Sequence, residues 1–188
     1  MYQINEIFYS LQGEGFYTGR AAVFVRLAGC NLRCAFCDTD FSHSKPMTAE
    51  QIAEQVFAYS INPDTLIVLT GGEPSLQVDD ALINALHKHK QIITIETNGT
   101  RTLPNGIDWV TVSPKADARV VLQRADEVKV VLTNQSEQEL QHLKNTIHAT
   151  YYYLQPCSCS NTGEVVAYIL KHPEWRLSLQ MHKYINIR

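Results

Sequence analysis

The feature that most constrains the fold is an alternation. Six short apolar runs, at 21–27 (AAVFVRL), 66–69 within TLIVLT, 92–95 within QIITIET, 109–112, 128–132 (VKVVL) and 151–154 within TYYYLQ, each lead into a polar cluster. Their β-branched and aromatic content favours strands. Thr48-Ala49-Glu50-Gln51 and Ser136-Glu137-Gln138-Glu139 both fit a capping box, whose side chains satisfy orphan N–H groups of a first helical turn. They predict helices over 48–59 and 136–147. Leu82, Ile83 and Leu86 place another over 78–89, and a fourth over 164–171 stops before Pro173. Strand-then-helix order predicts a mostly parallel sheet with helices outside it. The connections at 99–107 and 113–127 carry little helical pattern, so helices are missing there.

The 188 residues suit a single domain, 1–188, and fall short of the roughly 250 of a complete eight-fold barrel. The expected α/β fold is therefore an abridged, TIM-like partial barrel of about six mostly parallel strands with few outer helices. The polar clusters are Gly29-Cys30, Thr70 to Pro74, Glu96-Thr97-Asn98, Ser113-Pro114-Lys115, Thr133-Asn134 and Gln155-Pro156. In parallel barrels the C-terminal strand ends carry the active site, so six clusters would converge on one mouth. Turn chemistry explains any one of them and explains all six poorly.

Hydrophobic content of 45% excludes disordered and fibrous classes. A net charge of −3 advertises no nucleic-acid backbone or anionic membrane. No apolar run approaches the roughly 20 residues of a bilayer span, and MYQINEIFYSLQGEG lacks the basic and apolar regions of a secretion signal. A cytoplasmic protein that binds neither nucleic acid nor membrane is expected. In a reducing compartment its clustered cysteines read as metal-binding or catalytic.

Cys30, Cys34 and Cys37 form C-x3-C-x2-C directly after the first run, in a loop made polar by Asn31, Arg33 and Asp38. Three thiolates can hold a four-iron cluster and leave one iron without a protein ligand, open to chemistry. A structural zinc would want a fourth protein ligand, for which His43 is a candidate. Cys157 and Cys159, one residue apart, are too few to hold a second cluster alone.

This cysteine spacing, together with Gly71-Gly72-Glu73-Pro74 after a later strand, resembles the radical S-adenosylmethionine (SAM) superfamily. Asn5 to Gly15, Phe24 to Cys30, Cys37-Asp38-Thr39, Glu96 to Gly99, Ser113 to Lys115, Gln155-Pro156 and Gln180 to Lys183 narrow the resemblance to the 7-carboxy-7-deazaguanine synthases, across essentially the whole chain. The resemblance implies a 4Fe-4S cluster on Cys30, Cys34 and Cys37, with SAM on the open iron and a 5′-deoxyadenosyl radical from its cleavage. The reaction implied is conversion of 6-carboxy-5,6,7,8-tetrahydropterin to 7-carboxy-7-deazaguanine with loss of ammonia, by a Mg²⁺-dependent ring contraction that starts with hydrogen abstraction at C6. A homodimer and a reductant protein such as a flavodoxin or ferredoxin are implied as partners.

The residues the resemblance assigns to SAM are Phe36, Gly71, Gly72, Glu73, Glu96, Asn98, Ser113, Pro114, Lys115, Gln155, Pro156, Cys157 and Ser158, and Thr39 is assigned to Mg²⁺. Leu11, Gln12, Gly13, Glu14, Arg26 and Thr70 are the substrate candidates, with Glu14 and Arg26 catalytic. An arginine fork suits the pterin carboxylate; the alternative for Arg26 is a buried structural ion pair with Glu14 or Glu6. Glu73 could be a solvated turn carboxylate, and Ser113 to Lys115 an ordinary turn. His182 and Lys183 could close over the pocket or form a solvated tail. Two other readings stay open: an activase of a glycyl-radical enzyme, which would need a broad mouth and none of these pocket residues, and a non-catalytic zinc or iron-sulfur module.

Overall fold

A computed structural model describes residues 1–37, 39–40, 43–116 and 118–188; Asp38 lies outside them. The six apolar runs fall in six adjacent strands of one sheet: β2 (Ala21–Leu27), β4 (Leu66–Gly71), β5 (Ile93–Thr97), β6 (Trp109–Val112), β7 (Arg124–Leu132) and β8 (His148–Pro156). Each pairs in parallel with the next. Among the described residues the sheet has nine strands, however, in the order β3-β1-β2-β4-β5-β6-β7-β8-β9, and is an open partial barrel. The additions are β1 (Tyr2–Leu11) and β3 (Lys45–Met47), which run antiparallel at one edge, and β9 (Arg176–Leu177) at the other. Strand β1 escapes a periodicity reading because its register shifts between Ile4 and Glu6, and a bulge breaks the two-residue alternation on which such readings rest. Strands β3 and β9 are three and two residues long, too short for a pattern.

All four predicted helices form. α1 (Ala49–Tyr59) and α3 (Glu137–Thr146) start on the capping boxes of Thr48 with Gln51 and Ser136 with Glu139. α2 (Asp80–Leu86) is capped by the Asp79 side chain, α4 (Thr162–Lys171) follows β8, and a short α5 (Met181–Tyr184) comes last. Among the described residues no helix joins β5 to β6 or β6 to β7. None is long and apolar enough to cross a membrane among the described residues.

Side chains alternate between the two faces of each strand, and this sorts core from chemistry. Outward residues Val23, Val25, Ile67, Leu69, Ile93 and Ile95 meet Ile52, Val56, Leu82 and Leu86 of α1 and α2. Val128, Val130 and Leu154 meet Leu140 and Val165 of α3 and α4. Each such side chain, fully buried, contributes about 1.5 to 3 kcal/mol. The other face carries Glu96, Ser113, Lys129 and Gln155, all of which line the cavity described below. On that same side the 12–20 loop lays Phe16 on Trp109 and Tyr151, with ring centroids 4.7 and 4.8 Å apart. Stacking of this kind anchors the loop through its apolar residue and leaves its polar residues free to face inward.

Candidate active site

A cavity of about 890 Å³ opens at the C-terminal ends of the parallel strands. Of the site residues expected from the sequence, all but one line it: Leu11, Gln12, Gly13, Glu14, Arg26, Cys30, Cys34, Phe36, Cys37, Thr39, Thr70, Gly71, Gly72, Glu73, Glu96, Asn98, Ser113, Lys115, Gln155, Pro156, Cys157 and Ser158. Pro114 is buried behind the wall rather than on it. The Thr133-Asn134 cluster also stays outside, because Thr133 turns its N–H to Gln135 and its hydroxyl to Asn134 and Gln135.

The cysteine loop is fastened at its root by backbone. Gly72 donates its N–H to the Leu27 carbonyl at 3.0 Å, and Glu73 donates to that of Gly29 at 2.8 Å. A Cβ on Gly71 would stand 2.1 Å from the Leu27 oxygen, and one on Gly72 would stand 2.0 Å from that of Gly29. Only glycine permits this approach. A side-chain chain adds to it: Asn98 Nδ2 donates to Asn31 Oδ1 at 3.0 Å, and Asn31 Nδ2 donates to the Thr100 hydroxyl at 2.9 Å.

Cys30, Cys34 and Cys37 are free thiols, with Cys37 the most exposed. Burial raises the Cys30 thiol above its ordinary value, more than the 3.4 Å N–H of Leu32 lowers it. His43, the candidate fourth zinc ligand, is exposed and does not line the cavity. Lys115 reaches the Ser113 hydroxyl at 2.6 Å and sits 5.9 Å from the Phe36 ring centre. Burial lowers the pKa of its ammonium.

Glu73 is no solvated turn carboxylate. It is 1% exposed, and its oxygens accept from the Ser75 N–H at 3.0 Å, the Thr97 hydroxyl at 2.6 Å and the Asn98 N–H at 2.7 Å. Two of the three donors, Thr97 and Asn98, latch the end of β4 to the end of β5.

Arg26 forms one of the two ion pairs open to it in the sequence. Its Nε donates to Glu6 Oε1 at 2.8 Å, across the β1–β2 register that sets these two residues opposite each other. Arg188 pairs with the other Glu6 oxygen. The arginine thus lines the cavity already engaged in an ion pair, and Glu6 is its partner rather than Glu14.

Glu14 is held by Lys129, a residue that the sequence reading passed over inside VKVVL. Lys129 is 4% exposed and donates to Glu14 Oε2, with Glu96 Oε2 at 3.6 Å. Gln180 Nε2 donates to Glu14 Oε1 at 3.0 Å, and Gln12 Nε2 donates to Glu96 Oε1 at 3.0 Å. Burial works to raise the Glu14 pKa, but the Lys129 charge and hydrogen bond outweigh it and hold the carboxyl below its ordinary value. Strict alternation would have exposed Lys129: in Glu127-Val128-Lys129-Val130 the two valines face the helices, so both charges must face the barrel interior.

The C-terminal segment closes over this floor. Met181 donates its N–H to the Gly13 carbonyl at 2.9 Å, and a Cβ on Gly13 would stand 2.3 Å from His182 Nδ1. His182 and Lys183 both line the cavity.

Comparison with known proteins agrees with this geometry. Residues 25–143 match the model of the radical SAM superfamily. The 7-carboxy-7-deazaguanine synthase of Bacteroides thetaiotaomicron is 52% identical over 188 residues, covering 100% of both chains. That of Caulobacter vibrioides is 46% identical, covering 99% of both. The crystal structure of QueE from Escherichia coli matches with a TM-score of 0.79 at 31% identity, covering 96% of this chain and 94% of that one. The chain belongs to the radical SAM superfamily and, within it, to the 7-carboxy-7-deazaguanine synthase family of enzymes.

Proposed function

We propose that the chain converts 6-carboxy-5,6,7,8-tetrahydropterin to 7-carboxy-7-deazaguanine with loss of ammonia, using a 4Fe-4S cluster, SAM and Mg²⁺. The observation that carries this reading is that one cavity is lined both by the three free thiols and, on its floor, by the Gln12, Glu14, Glu96 and Lys129 set. The donor set fits the cluster: Cys30, Cys34 and Cys37 share one loop, and that loop is fixed by Gly72, Glu73 and Asn98 rather than left to the thiols to organise. Bound there, the cluster and SAM supply the 5′-deoxyadenosyl radical that starts the reaction.

The chain's own residues bind, orient and exclude water. Phe36 and the Gly71-Gly72 backbone offer an apolar face and a close approach beside the thiols. The Gln12 to Glu14 loop offers carbonyls, an amide and an ionised carboxylate to the donors of a pterin edge. The Gly13 contact with Met181 and His182 carries α5 over the same floor and limits solvent access. Thr39 lines the cavity next to Cys37, whose thiol faces the Thr39 backbone carbonyl at 3.9 Å, and its hydroxyl is the oxygen proposed for the metal. That is a sparse Mg²⁺ site, suited to an ion that commonly keeps several waters and takes its remaining oxygens from substrate. Exposure of Cys37 suits electron delivery by a docked reductant protein.

The test is anaerobic reconstitution with reductant, SAM, Mg²⁺ and 6-carboxytetrahydropterin, followed by mass spectrometry of the products. Formation of 7-carboxy-7-deazaguanine with SAM surviving many turnovers is expected. SAM cleavage with the pterin untouched would refute the substrate assignment, and a fully loaded cluster that cleaves nothing would refute the radical chemistry.

A further inference from the structure

Lys129 occupies a position that an ammonium rarely holds. It stands in the middle of β7, 4% exposed, with its neighbours Val128 and Val130 buried against α3 and α4. Taking such a charge out of water costs several kcal/mol unless the site returns the interaction. Here the return comes from carboxylates on three other segments or positions: Glu14 in direct contact, Glu96 at 3.6 Å, and Glu127 through its field. One positive charge therefore serves more negative charge than it neutralises.

The contacts close into a ring. Lys129 donates to the Glu14 carboxylate and faces Glu96; Glu96 accepts from Gln12 Nε2; and Gln12 Oε1 accepts the Glu14 backbone N–H at 3.1 Å. Gln12, Glu14, Glu96 and Lys129 all line the cavity, while Glu127 lies behind it and accepts the Phe16 N–H at 2.9 Å. The ring thus joins the 12–14 loop to the end of β5 through a group fixed in the sheet. Removal of the ammonium would leave Glu14 and Glu96 without their shared cation, joined only through the Gln12 amide.

We propose that Lys129 is the positioning residue of the substrate subsite: it holds the Glu14 carboxylate, at a set orientation relative to Glu96, as the acceptor for the N–H donors of the pterin's aminopyrimidinone edge. This role rests on the function proposed above and deepens it. Lys129 acts on substrate through Glu14, so its effect is conditional on that carboxylate.

Four elements set the charge around Glu14: Lys129 and Glu127 on β7, Glu96 on β5, Lys115 after β6 and His182 on α5. With Lys129 present, Glu14 stays ionised across neutral pH. Without it, burial and the carboxylates Glu96 and Glu127 move Glu14 protonation upward, so affinity for the pterin is lost as pH falls.

The experiment measures the dissociation constant of 6-carboxytetrahydropterin by anaerobic equilibrium dialysis against reconstituted, SAM-bound protein from pH 6 to 9. The proteins are wild type, Lys129→Met, Glu14→Gln and the double variant, with thermal midpoints recorded for each. At pH 7.5, K129M is expected to weaken binding roughly 10- to 100-fold, the range of a lost charged hydrogen bond, and to acquire a new acid limb. In the E14Q background K129M is expected to add little, and the acid limb to be absent. The double variant also guards against misfolding, since it removes both charges of the direct pair. Independent, multiplying effects of the two substitutions, or K129M binding as tightly as wild type with no new limb, overturns the role of Lys129 while the assigned function stands. A wild-type protein that binds no pterin overturns both.

Discussion

Gly72 lies so close to Gly29 that a Cβ placed on it would stand 2.0 Å from the Gly29 carbonyl oxygen. The second glycine of Gly-Gly-Glu-Pro therefore sets how near the end of β4 comes to the root of the cysteine loop. Gly72→Ala is expected to push this loop outward and cut iron incorporation, while the sheet stays folded. Iron and sulfide content after reconstitution, beside circular dichroism, checks this. Full iron loading of G72A would show that the loop tolerates the displacement.

Glu73 is the second fixed point. Glu73→Ala strips a buried carboxylate from three donors, those of Ser75, Thr97 and Asn98, and hydrogen bonds to charged groups contribute about 1.5 to 3 kcal/mol each. A loss of at least about 3 kcal/mol in denaturant unfolding is expected. Glu73→Gln keeps the shape and one acceptor oxygen, so its loss should be smaller. Equal, slight losses for both would place the latch elsewhere.

The Glu14 and Lys129 pair makes a statement about acid stability. Lys129 holds the folded Glu14 pKa below its unfolded value of about 4.3 even though burial works the other way. The stability this contributes is fully present above that unfolded value and is lost as pH falls through the lower folded one. Urea midpoints of the metal-free protein should therefore fall between about pH 5 and pH 2, and Glu14→Gln should flatten that fall. An acid limb of unchanged slope in E14Q would assign it to other carboxylates.

Gly13 ties the C-terminal segment to the substrate loop, because a Cβ there would meet His182 Nδ1 at 2.3 Å. Gly13→Ala should displace His182 and raise the KM for the pterin by roughly tenfold or more, the scale of one displaced hydrogen-bonding group. SAM cleavage in the absence of pterin should change far less. Steady-state kinetics with varied pterin separates the two effects. An unaltered KM would mean that α5 moves aside without cost.

Thr39→Ala should weaken the dependence of turnover on Mg²⁺, shifting half-activation to higher concentration. A Mg²⁺ titration identical to wild type would remove Thr39 from the metal's surroundings.

Much of the architecture was legible because burial imposes periodicity. The six parallel strands were visible as apolar runs, and capping residues Thr48 and Ser136 marked helix starts that packing then confirmed. The bulge in β1 hid the strand that carries Glu6, so Glu6 stood beside Glu14 as a possible partner of Arg26 with no register to choose between them. Lys129 was hidden for a related reason: VKVVL reads as one apolar run unless the two faces are counted separately. Glu73 left a turn carboxylate open as an alternative, since its neighbours in sequence suggest a turn, whereas its bonds to Thr97 and Asn98 lie more than twenty residues away. Local spacing brought the three cysteines to one loop of the cavity, whereas the contacts of Lys129 with Glu14 and Glu96 depend on partners far away in sequence.

The most direct measurement is isotopic. With the pterin deuterated at C6, the cavity described here should bring that carbon against the 5′ carbon of SAM, so 5′-deoxyadenosine recovered from the reaction is expected to carry the deuterium. If 5′-deoxyadenosine forms and carries none, while 7-carboxy-7-deazaguanine accumulates, the substrate does not sit where the Gln12 to Glu14 loop and the cysteine loop would place it.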